Sequence, residues 1–435
     1  YQIYTSIPRT PDYFNDSRMH AIVLQQQYSF YSTTQFLNKM KQYIKEPSLW
    51  LLIFLVGFPQ ISETIYTPSL PELANMLSAS DNEIQQSLSI YFLGFAVGVL
   101  LWGILSDKIG RRPSMLTGIL MYIVGSIGCL MAQNIEVLLL SRVIQACGAA
   151  AGSIVTQTVM RDCYDDSRRP HIFAKVSAVL AFSPAIGLLM GSIIAQYLGV
   201  SYVFLALVLI GLAALILTYY GLNETRQTNQ NKSGSVQLLP VIKQMLLDRN
   251  IWIYASLIGI INGIIFSYYG EAPFIFINTL QFSIIEYGTL GFIVAIASFI
   301  GAILGRKLLK TMHYKQVMMA GYGIIAIGSL LFLITASYTT SLGVQIAGYI
   351  SGIFLIMAGI GVSLPSCLSN ALIDYKHALG IGGAFLGLIY YIIVGLCTGF
   401  MSLLHNGNSI TLPIYFIVLS LLLMILTSFI EKKRS

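Results

Sequence analysis

Long apolar runs repeat along the whole chain, and this feature restricts its fold more than any other. A helix needs about 20 largely apolar residues to cross the hydrocarbon of a bilayer. Only 10% of the 435 residues are charged, whereas soluble domains carry about 25%. We therefore predict an all-α integral membrane protein, and exclude disordered, collagenous and nucleic-acid-binding chains despite the net charge of +7. Twelve spans are predicted, near 48–68, 84–105, 113–133, 136–160, 170–198, 201–222, 250–277, 285–308, 316–336, 342–368, 378–404 and 410–430.

Lysine and arginine residues lie in alternate connections between these spans. The connections after the even-numbered spans, together with the two tails, hold all 25 basic residues except Arg142. The connections after the odd-numbered spans hold none. Because cytoplasmic loops of membrane proteins are enriched in basic residues, both termini are predicted to be cytoplasmic.

A single long polar stretch divides the spans into two sets of six. Residues 223–249 form this predicted cytoplasmic linker, between an N-terminal six-helix half (45–222) and a C-terminal half (250–435). A short sequence similarity relates the two halves. Both ETIYTP (63–68) in the first span and YGEAPF (269–274) in the seventh span place a glutamate shortly before a proline. This organisation is typical of transporters built from two parallel repeats.

The first 44 residues do not fit this pattern. They are polar and aromatic without an amphipathic period, and they show no signal-peptide cleavage pattern. Met40, followed by KQYIKEP, is a plausible start just ahead of the first span. We therefore expect residues 1–39 to be either an upstream translation artefact or a loosely ordered tail.

The segment GILSDKIGRRP (103–113) connects the second and third spans. Gly103 would let two helices approach closely, and Gly110 would permit a tight turn. Asp107 could accept hydrogen bonds from a helix N-terminus across the bundle, while Arg111 and Arg112 would anchor the cytoplasmic surface. The alternative is a generic basic loop. The segment resembles the signature loop of the major facilitator superfamily, which implies a major facilitator fold and a cytoplasmic gating role for these residues.

Further stretches narrow the resemblance. LSRVIQACGAAAGS (140–153), followed by MRD (160–162), resembles the fourth span of drug:proton antiporters. The wider run from Tyr66 to Gly191 resembles the Bcr/CflA branch, the bicyclomycin and chloramphenicol exporters. These likenesses imply proton-driven export of a small molecule by a transporter of the bacterial inner membrane.

The fifth span contains SPAIGL (183–188), which is similar to the antiporter motif GPXXGG. Ser183, Pro184 and Gly187 are the residues that would carry the motif's function. Ser183 and Leu188 stand where the motif has glycine.

Arg142 is the one basic residue predicted to lie inside the membrane, away from the cytoplasmic connections and tails. Burying a charge in the membrane is costly, so such a residue usually has a functional partner. The alternative is that its side chain snorkels to the headgroups. Within the family the matching arginine is linked to proton transfer, and the spacing to Gln145 fits that role.

Glu63 is an acid about three quarters of the way along the first predicted span. A carboxylate there loses its hydration, which favours the protonated form, and it could load and release a proton as the cavity changes face. Relatives have aspartate one position later, where this chain has Thr64. The alternatives are a structural acid or one that reaches the outer water layer.

Glu271 occupies the matching place in the seventh span. It could tune the charge of a substrate, or it could be an interfacial glutamate near the periplasm. His405, near the same face, could sense pH, whereas the other histidines are expected to be solvated. Tyr66, Tyr268, Tyr269, Phe274 and Tyr390 could line an aromatic pocket, although such residues are more often packing or interface anchors.

We therefore predict a proton-coupled exporter of drug-like or amphipathic molecules that works by alternating access. The expected partners are protons, a small-molecule substrate and the lipid bilayer, and we expect a monomer. No phosphate-binding loop GXXXXGK[ST] is present, so a nucleotide-driven pump is not expected. The proton motive force would supply the energy, and no cofactor is expected. Neither enzymatic activity nor a metal site is expected. A dedicated exporter of an endogenous polar metabolite, such as a siderophore, is the first alternative. An uncoupled facilitator or a non-transporting receptor is the second.

Overall fold

The computed structural model describes residues 46–165, 167–226, 238–338 and 341–430. The residues of the 1–44 tail, with the predicted start at Met40, lie outside this part of the chain. The regular secondary structure of the described residues is helical. Its α-helices are α1 (Leu49–Thr64), α2 (Leu70–Met76), α3 (Asp81–Ile109), α4 (Arg111–Leu130), α5 (Ile135–Cys163), α6 (Arg169–Leu180), α7 (Ser183–Leu198), α8 (Val200–Gly221), α9 (Leu238–Leu247), α10 (Arg249–Pro273), α11 (Ile284–Leu308), α12 (Tyr314–Tyr338), α13 (Leu342–Ala371), α14 (Leu379–Leu404) and α15 (Thr411–Ser428).

Eleven helical segments in the described residues are long and apolar enough to cross a membrane. The fifth predicted span, 170–198, is not one continuous helix but two, α6 and α7. Pro184 explains the break, because it has no N–H to donate to the carbonyl of Leu180 and therefore cannot continue the helix from α6. It lies in the first turn of α7, where a missing N–H costs nothing.

The first membrane segment is longer than its sequence suggested. After α1, a short 3₁₀ helix (Thr67–Ser69) and α2 continue the helical path to Met76. Pro68 and Pro71 do not stop it, because each sits at the start of a new helical piece. Glu63 therefore lies near the midpoint of the segment Leu49–Met76 rather than three quarters of the way along it.

Buried apolar side chains form two clusters. One draws mainly on α1–α8 and the other mainly on α10–α15, with α9 contributing Val241 and Met245 to the second. The most extensive contacts between the N-terminal helices (α1–α8) and the C-terminal helices (α10–α15) are those of α3 with α14 and of α7 with α11. Side chains at these contacts are thus shared by both sets of helices.

The two ends of the bundle differ in charge. The basic end carries the connections around Lys108–Arg112, Arg161–Arg169 and Arg306–Lys315. The opposite end carries Leu77–Ser80, Met131–Asn134, Gln281–Ser283 and His405–Ile410. At the opposite end, α3 and α11 each begin with a capping box, Ser80 with Glu83 and Ser283 with Glu286, which satisfies the first free N–H groups of both helices.

Candidate functional site

Arg142 of α5 lies in the interior with 0% of its surface exposed. Its guanidinium carbon sits between two aromatic rings, 4.0 Å from the ring centre of Tyr66 and 4.2 Å from that of Tyr91. This is the geometry of a cation–π interaction on both faces. Its Nη1 donates to Oε1 of Gln145, whereas Nε and Nη2 have no hydrogen-bond partner among the residues that the structure describes. The side chain does not snorkel, so the charge is held inside the protein.

A hydrogen-bonded chain connects Arg142 to α1. Gln145 Nε2 donates to Ser126 Oγ at 2.8 Å, and Ser126 Oγ donates to the carbonyl of Tyr122 at 2.8 Å. The hydroxyl of Tyr122 bonds that of Ser62. The chain thereby crosses from α5 through α4 to the residue beside Glu63.

Glu63 is only 5% exposed, one residue before the end of α1. No hydrogen bond reaches its carboxylate from any residue that the structure describes. It interacts electrostatically with Arg142, and also with Tyr390 and Tyr391 of α14. The acid therefore lies close to groups of both the N-terminal and the C-terminal helices, within the electrostatic field of Arg142.

An aromatic wall lies where the two sets of helices meet. Phe95 of α3 packs on Tyr391 with ring centres 4.5 Å apart, and Phe92 packs on Phe266 of α10 at 4.3 Å. Tyr390 and Tyr391 are themselves 4.3 Å apart. Aromatic rings with a few polar groups are what small-molecule sites in proteins usually offer.

The motif residues of the fifth predicted span hold α7 against α1. The carbonyl of Pro184 accepts a hydrogen bond of 3.1 Å from Thr64 Oγ1, and Ser183 is 3% exposed. A Cβ at Gly187 would clash with Thr64, and one at Gly191 with the carbonyl oxygen of Ile65. Small residues are therefore required beside the turn that carries Glu63.

Glu271 of α10 is 1% exposed and belongs to a different cluster. Its Oε2 accepts from Nε2 of Gln85 at 2.9 Å, and both of its oxygens lie within 2.9 Å of His405 Nδ1. Nε2 of the same imidazole lies 3.6 Å from Asp81. Burial opposes the charged form of His405, but the bond to Glu271 and the negative charges of Glu271 and Asp81 outweigh it and raise its pKa. Glu271 and Glu63 are thus parts of separate sites.

The gating-motif residues lie at the basic end. Arg111 bonds two carboxylates, Asp107 through Nη1 and Asp162 through Nε, both at 2.8 Å. The side chain of Asp107 is 67% exposed and that of Asp162 is 22% exposed. In this conformation the partner of Asp107, within the described chain, is Arg111 on the neighbouring helix rather than a helix N-terminus across the bundle.

The turn between α3 and α4 is fixed by Gly110 and Glu224. Gly110 has φ of 109°, a left-handed conformation that favours glycine. Glu224 accepts from the backbone N–H groups of Arg111 and Arg112 at 2.9 and 3.1 Å, which satisfies free donors at the start of α4. Gly103 leaves room for a methyl group, which would lie 3.4 Å from Ala384.

Three important residues were missed by the sequence analysis. Gln85, Tyr91 and Glu224 look like ordinary residues of an apolar helix or a polar connection. Gln85 lies on the inward face of α3 together with Leu88 and Phe92, so helical periodicity could have marked it as a buried polar residue. Within the described part of the chain, no group of three His, Cys, Asp or Glu residues could hold a metal ion.

The profile of the Major Facilitator Superfamily matches residues 49–396. The chain belongs to this family, so it is a multi-pass membrane transporter and not an enzyme. The predicted all-α major facilitator fold is confirmed.

Individual relatives agree with this assignment. The chain is 35% identical over 388 residues to an "Uncharacterized transporter" of Rickettsia felis, covering 88% of this chain and 95% of that one. It is 29% identical over 341 residues to a "Chloramphenicol resistance protein" of Pseudomonas aeruginosa, covering 76% and 80%. The xylose transporter XylE from E. coli, solved in a partially occluded inward open conformation, superposes with a TM-score of 0.67 at 14% identity, covering 88% and 97%. That structural likeness shows the shared fold.

Proposed function

We propose that this transporter exports small drug-like or amphipathic molecules in exchange for protons, with Glu63 as the proton carrier. The observation that carries the proposal is a buried carboxylate without a hydrogen-bond partner among the described residues, facing Arg142 between the two sets of helices. A group that needs no bond broken before it exchanges its proton suits a cycle in which access alternates.

Charge counting supports mutual exclusion of proton and substrate. An arginine side chain stays charged in proteins, so Arg142 is a constant positive charge. When Glu63 is ionised the pair is neutral, and when Glu63 is protonated the pair carries a net positive charge. A cationic or polar substrate is therefore accepted best by the ionised form, and it is displaced when a proton returns.

The orientation of the chain in the membrane decides from which side the substrate is taken and to which side the proton is released. We propose that the basic end is cytoplasmic, that both termini are cytoplasmic and that the membrane is the bacterial inner membrane. The clusters around α1–α8 and α10–α15 are proposed to be the cores of two six-helix halves that rock about the site. The membrane field supplies about 2.3 kcal/mol per charge per 100 mV, enough for roughly a 50-fold gradient per proton.

The aromatic wall supports an amphipathic cargo. Tyr390, Tyr391, Phe95 and Phe92 offer flat apolar faces close to Glu63 and Arg142. The relative named for chloramphenicol resistance supports the same class, and it fits membership of the Bcr/CflA branch.

The test measures proton release from the purified, weakly buffered protein as chloramphenicol is added. Wild type should release protons, and Glu63→Gln should release none while still folding. Glu136→Gln, the same change at an exposed acid at the opposite end, should behave like wild type. Proton release that survives in Glu63→Gln would remove this residue from the mechanism.

A second measurement in proteoliposomes separates the alternatives. Chloramphenicol uptake driven by an imposed pH gradient would support antiport. Transport without proton movement would indicate a facilitator. Absence of drug transport, combined with a secreted metabolite missing from a deletion strain, would indicate a dedicated metabolite exporter.

A further inference from the structure

Polar bonds tie the first turns of α3 to the C-terminal helices at the opposite end of the bundle. Asn82 Nδ2 donates to the carbonyls of Ser402 and His405 at 2.8 and 3.2 Å. Further along α3, Ser89 Oγ donates to the carbonyl of Gly395 at 2.6 Å. Gln85, between them, bonds Glu271. Each of these bonds joins the N-terminal to the C-terminal helices, so all must break when this end opens.

The ionisable members of this cluster are buried in this conformation and would meet water if the end opened. In the closed arrangement Glu271 is 1% exposed and the side chain of His405 is 5% exposed. The charged groups that face His405 are Glu271 on α10 and Asp81 on α3, while Phe274 contributes an apolar ring 5.1 Å away. The connections at this end contain no lysine or arginine. A proton on His405 is therefore the available positive charge between two carboxylates.

We propose that His405, Glu271 and Asp81 form a second proton-binding site, which takes up a proton from the water at this end as the end closes and returns it to the same water as the end opens. His405 holds the proton on its imidazole, Glu271 accepts its hydrogen bond in the interior, and Asp81 faces it from the solvent side. The site acts on the conformational change and not on the cargo.

The direction of the pH effect follows from linkage. In the closed state the two carboxylates raise the pKa of His405 despite its burial. In the open state α3 moves away with Asp81 and Gln85, water enters, and the imidazole returns toward its ordinary pKa of about 6.5. The closed state thus binds the proton more tightly. Its extra stability is complete below the open-state pKa and is lost as the pH rises through the closed-state pKa.

This proton does not cross the membrane, which separates the inference from the proposed function. A proton carried by Glu63 enters at one end and leaves at the other. A proton on His405 enters and leaves at one end, so it changes the pH dependence of closing without changing the number of protons exchanged per substrate. The inference rests on alternating access and stands whether or not Glu63 carries a proton.

The experiment measures opening of this end directly. Nitroxide labels at Gln133→Cys and Gly343→Cys, both exposed at the opposite end and on different sets of helices, are placed in a chain whose five native cysteines are replaced by alanine. The ratio of closed to open molecules is read from the distance distribution between pH 5.5 and 9. One linked proton changes this ratio by at most about tenfold per pH unit. We expect the closed fraction to fall as the pH rises.

Three variants separate proton binding from a structural role. His405→Asn should remove this component of the pH dependence. Glu271→Gln keeps a hydrogen-bond acceptor but removes the charge, so it should move the transition to lower pH. Asn82→Ala removes a bond that does not titrate, so it should lower the closed fraction at every pH while keeping the slope. The same pattern is expected in a Glu63→Gln background.

Several results would overturn the proposal. The first is a wild-type ratio that does not depend on pH, and the second is a slope unchanged in both His405→Asn and Glu271→Gln. A third is a slope lost equally in Asn82→Ala, which would assign the cluster a structural role alone. Finally, in proteoliposomes, a changed number of protons per substrate in His405→Asn would show that this proton is carried across.

Discussion

Two buried glutamates, Glu63 and Glu271, occupy corresponding places in the sequence and very different places in the structure. Each stands just before a proline near the end of the first long helix of its set. Both are almost completely buried, at 5% and 1% exposure. Glu271 is bonded by Gln85 and His405, whereas Glu63 has no hydrogen-bond partner among the described residues. The two acids therefore have different surroundings, and we propose different roles for them.

The difference lies in what holds each charge. The partner of Glu271 is a histidine, which can give up its proton, and the bonds cross between helices that must separate. The neighbour of Glu63 is an arginine, which cannot give up its proton and which is fixed between Tyr66 and Tyr91. A carboxylate facing a permanent cation without a bond suits proton exchange at the substrate site, and a bonded carboxylate at the end of the bundle suits control of closing.

Removing the cation should have the largest effect on this contrast. Arg142→Ala empties the space between two rings and removes two desolvated cation–π contacts, each worth about 2 kcal/mol, and it leaves Glu63 without the nearby positive charge. Thermal unfolding of the purified protein measures the loss. Lys108→Ala, at an exposed position of the basic end, is the matched control and should change stability little. A stable Arg142→Ala protein with normal coupling would show that Glu63 does not depend on the arginine.

Exchanging each acid for its amide should come next. Glu63→Gln should weaken binding of a cationic probe by up to about 100-fold, because opposite unit charges about 6 Å apart attract each other by about 2.8 kcal/mol at an effective dielectric constant of about 20. Glu271→Gln should leave the affinity at the substrate site close to wild type. Equilibrium binding of tetraphenylphosphonium measures both. Equal losses in the two variants would erase the distinction between a substrate-site acid and a closing acid.

Much of this architecture could be predicted from the sequence, because membrane spans and basic connections are read from composition alone. The buried position of Arg142 follows from its place in an apolar run, and the turn at Gly110 follows from the SDKIGRRP segment. The break between α6 and α7 was missed, because an apolar run does not show where proline interrupts it. The continuation of the first segment through α2 was missed for the converse reason, since Pro68 and Pro71 start helical pieces rather than end them.

The partners of the charged residues could not be predicted. Gln85 and His405 lie 320 residues apart in the chain, and the bonds that bring them to Glu271 depend on how α3 meets α14. Similarly, Tyr390 and Tyr391 approach Glu63 only because the two sets of helices share an interface. Sequence periodicity marks which face of a helix is buried, but it does not say which residue of another helix that face meets.

The packing beside Glu63 provides a smaller test of the same contrast. Gly191→Ala would place a methyl group against the carbonyl oxygen of Ile65, and overpacking of this kind costs about 1–3 kcal/mol. The expected result is a lower unfolding temperature together with weaker substrate binding, because the turn after Glu63 must shift. Gly323→Ala, where a Cβ meets nothing within 4 Å, is the control and should be neutral or slightly stabilising. Unchanged binding in Gly191→Ala would show that the position of Glu63 tolerates movement of α7.

A third carboxylate, Asp107, tests whether burial is what distinguishes the two glutamates. Its side chain is 67% exposed and its ion pair with Arg111 is open to water, and such pairs contribute only about 0–1 kcal/mol. Asp107→Asn should therefore leave the unfolding temperature nearly unchanged in this conformation, whereas Asp162→Asn, with a 22% exposed side chain on the same arginine, should lower it more. If Asp107 also acts in gating, its partner changes when the basic end closes, and the variant should slow transport at unchanged stability.

Paired measurement of unfolding temperature and of transport turnover distinguishes the effect on stability from the effect on gating. Normal turnover in Asp107→Asn would limit its role to the surface pair, and a large loss of stability would mean that exposure does not set the strength of charged contacts in this protein.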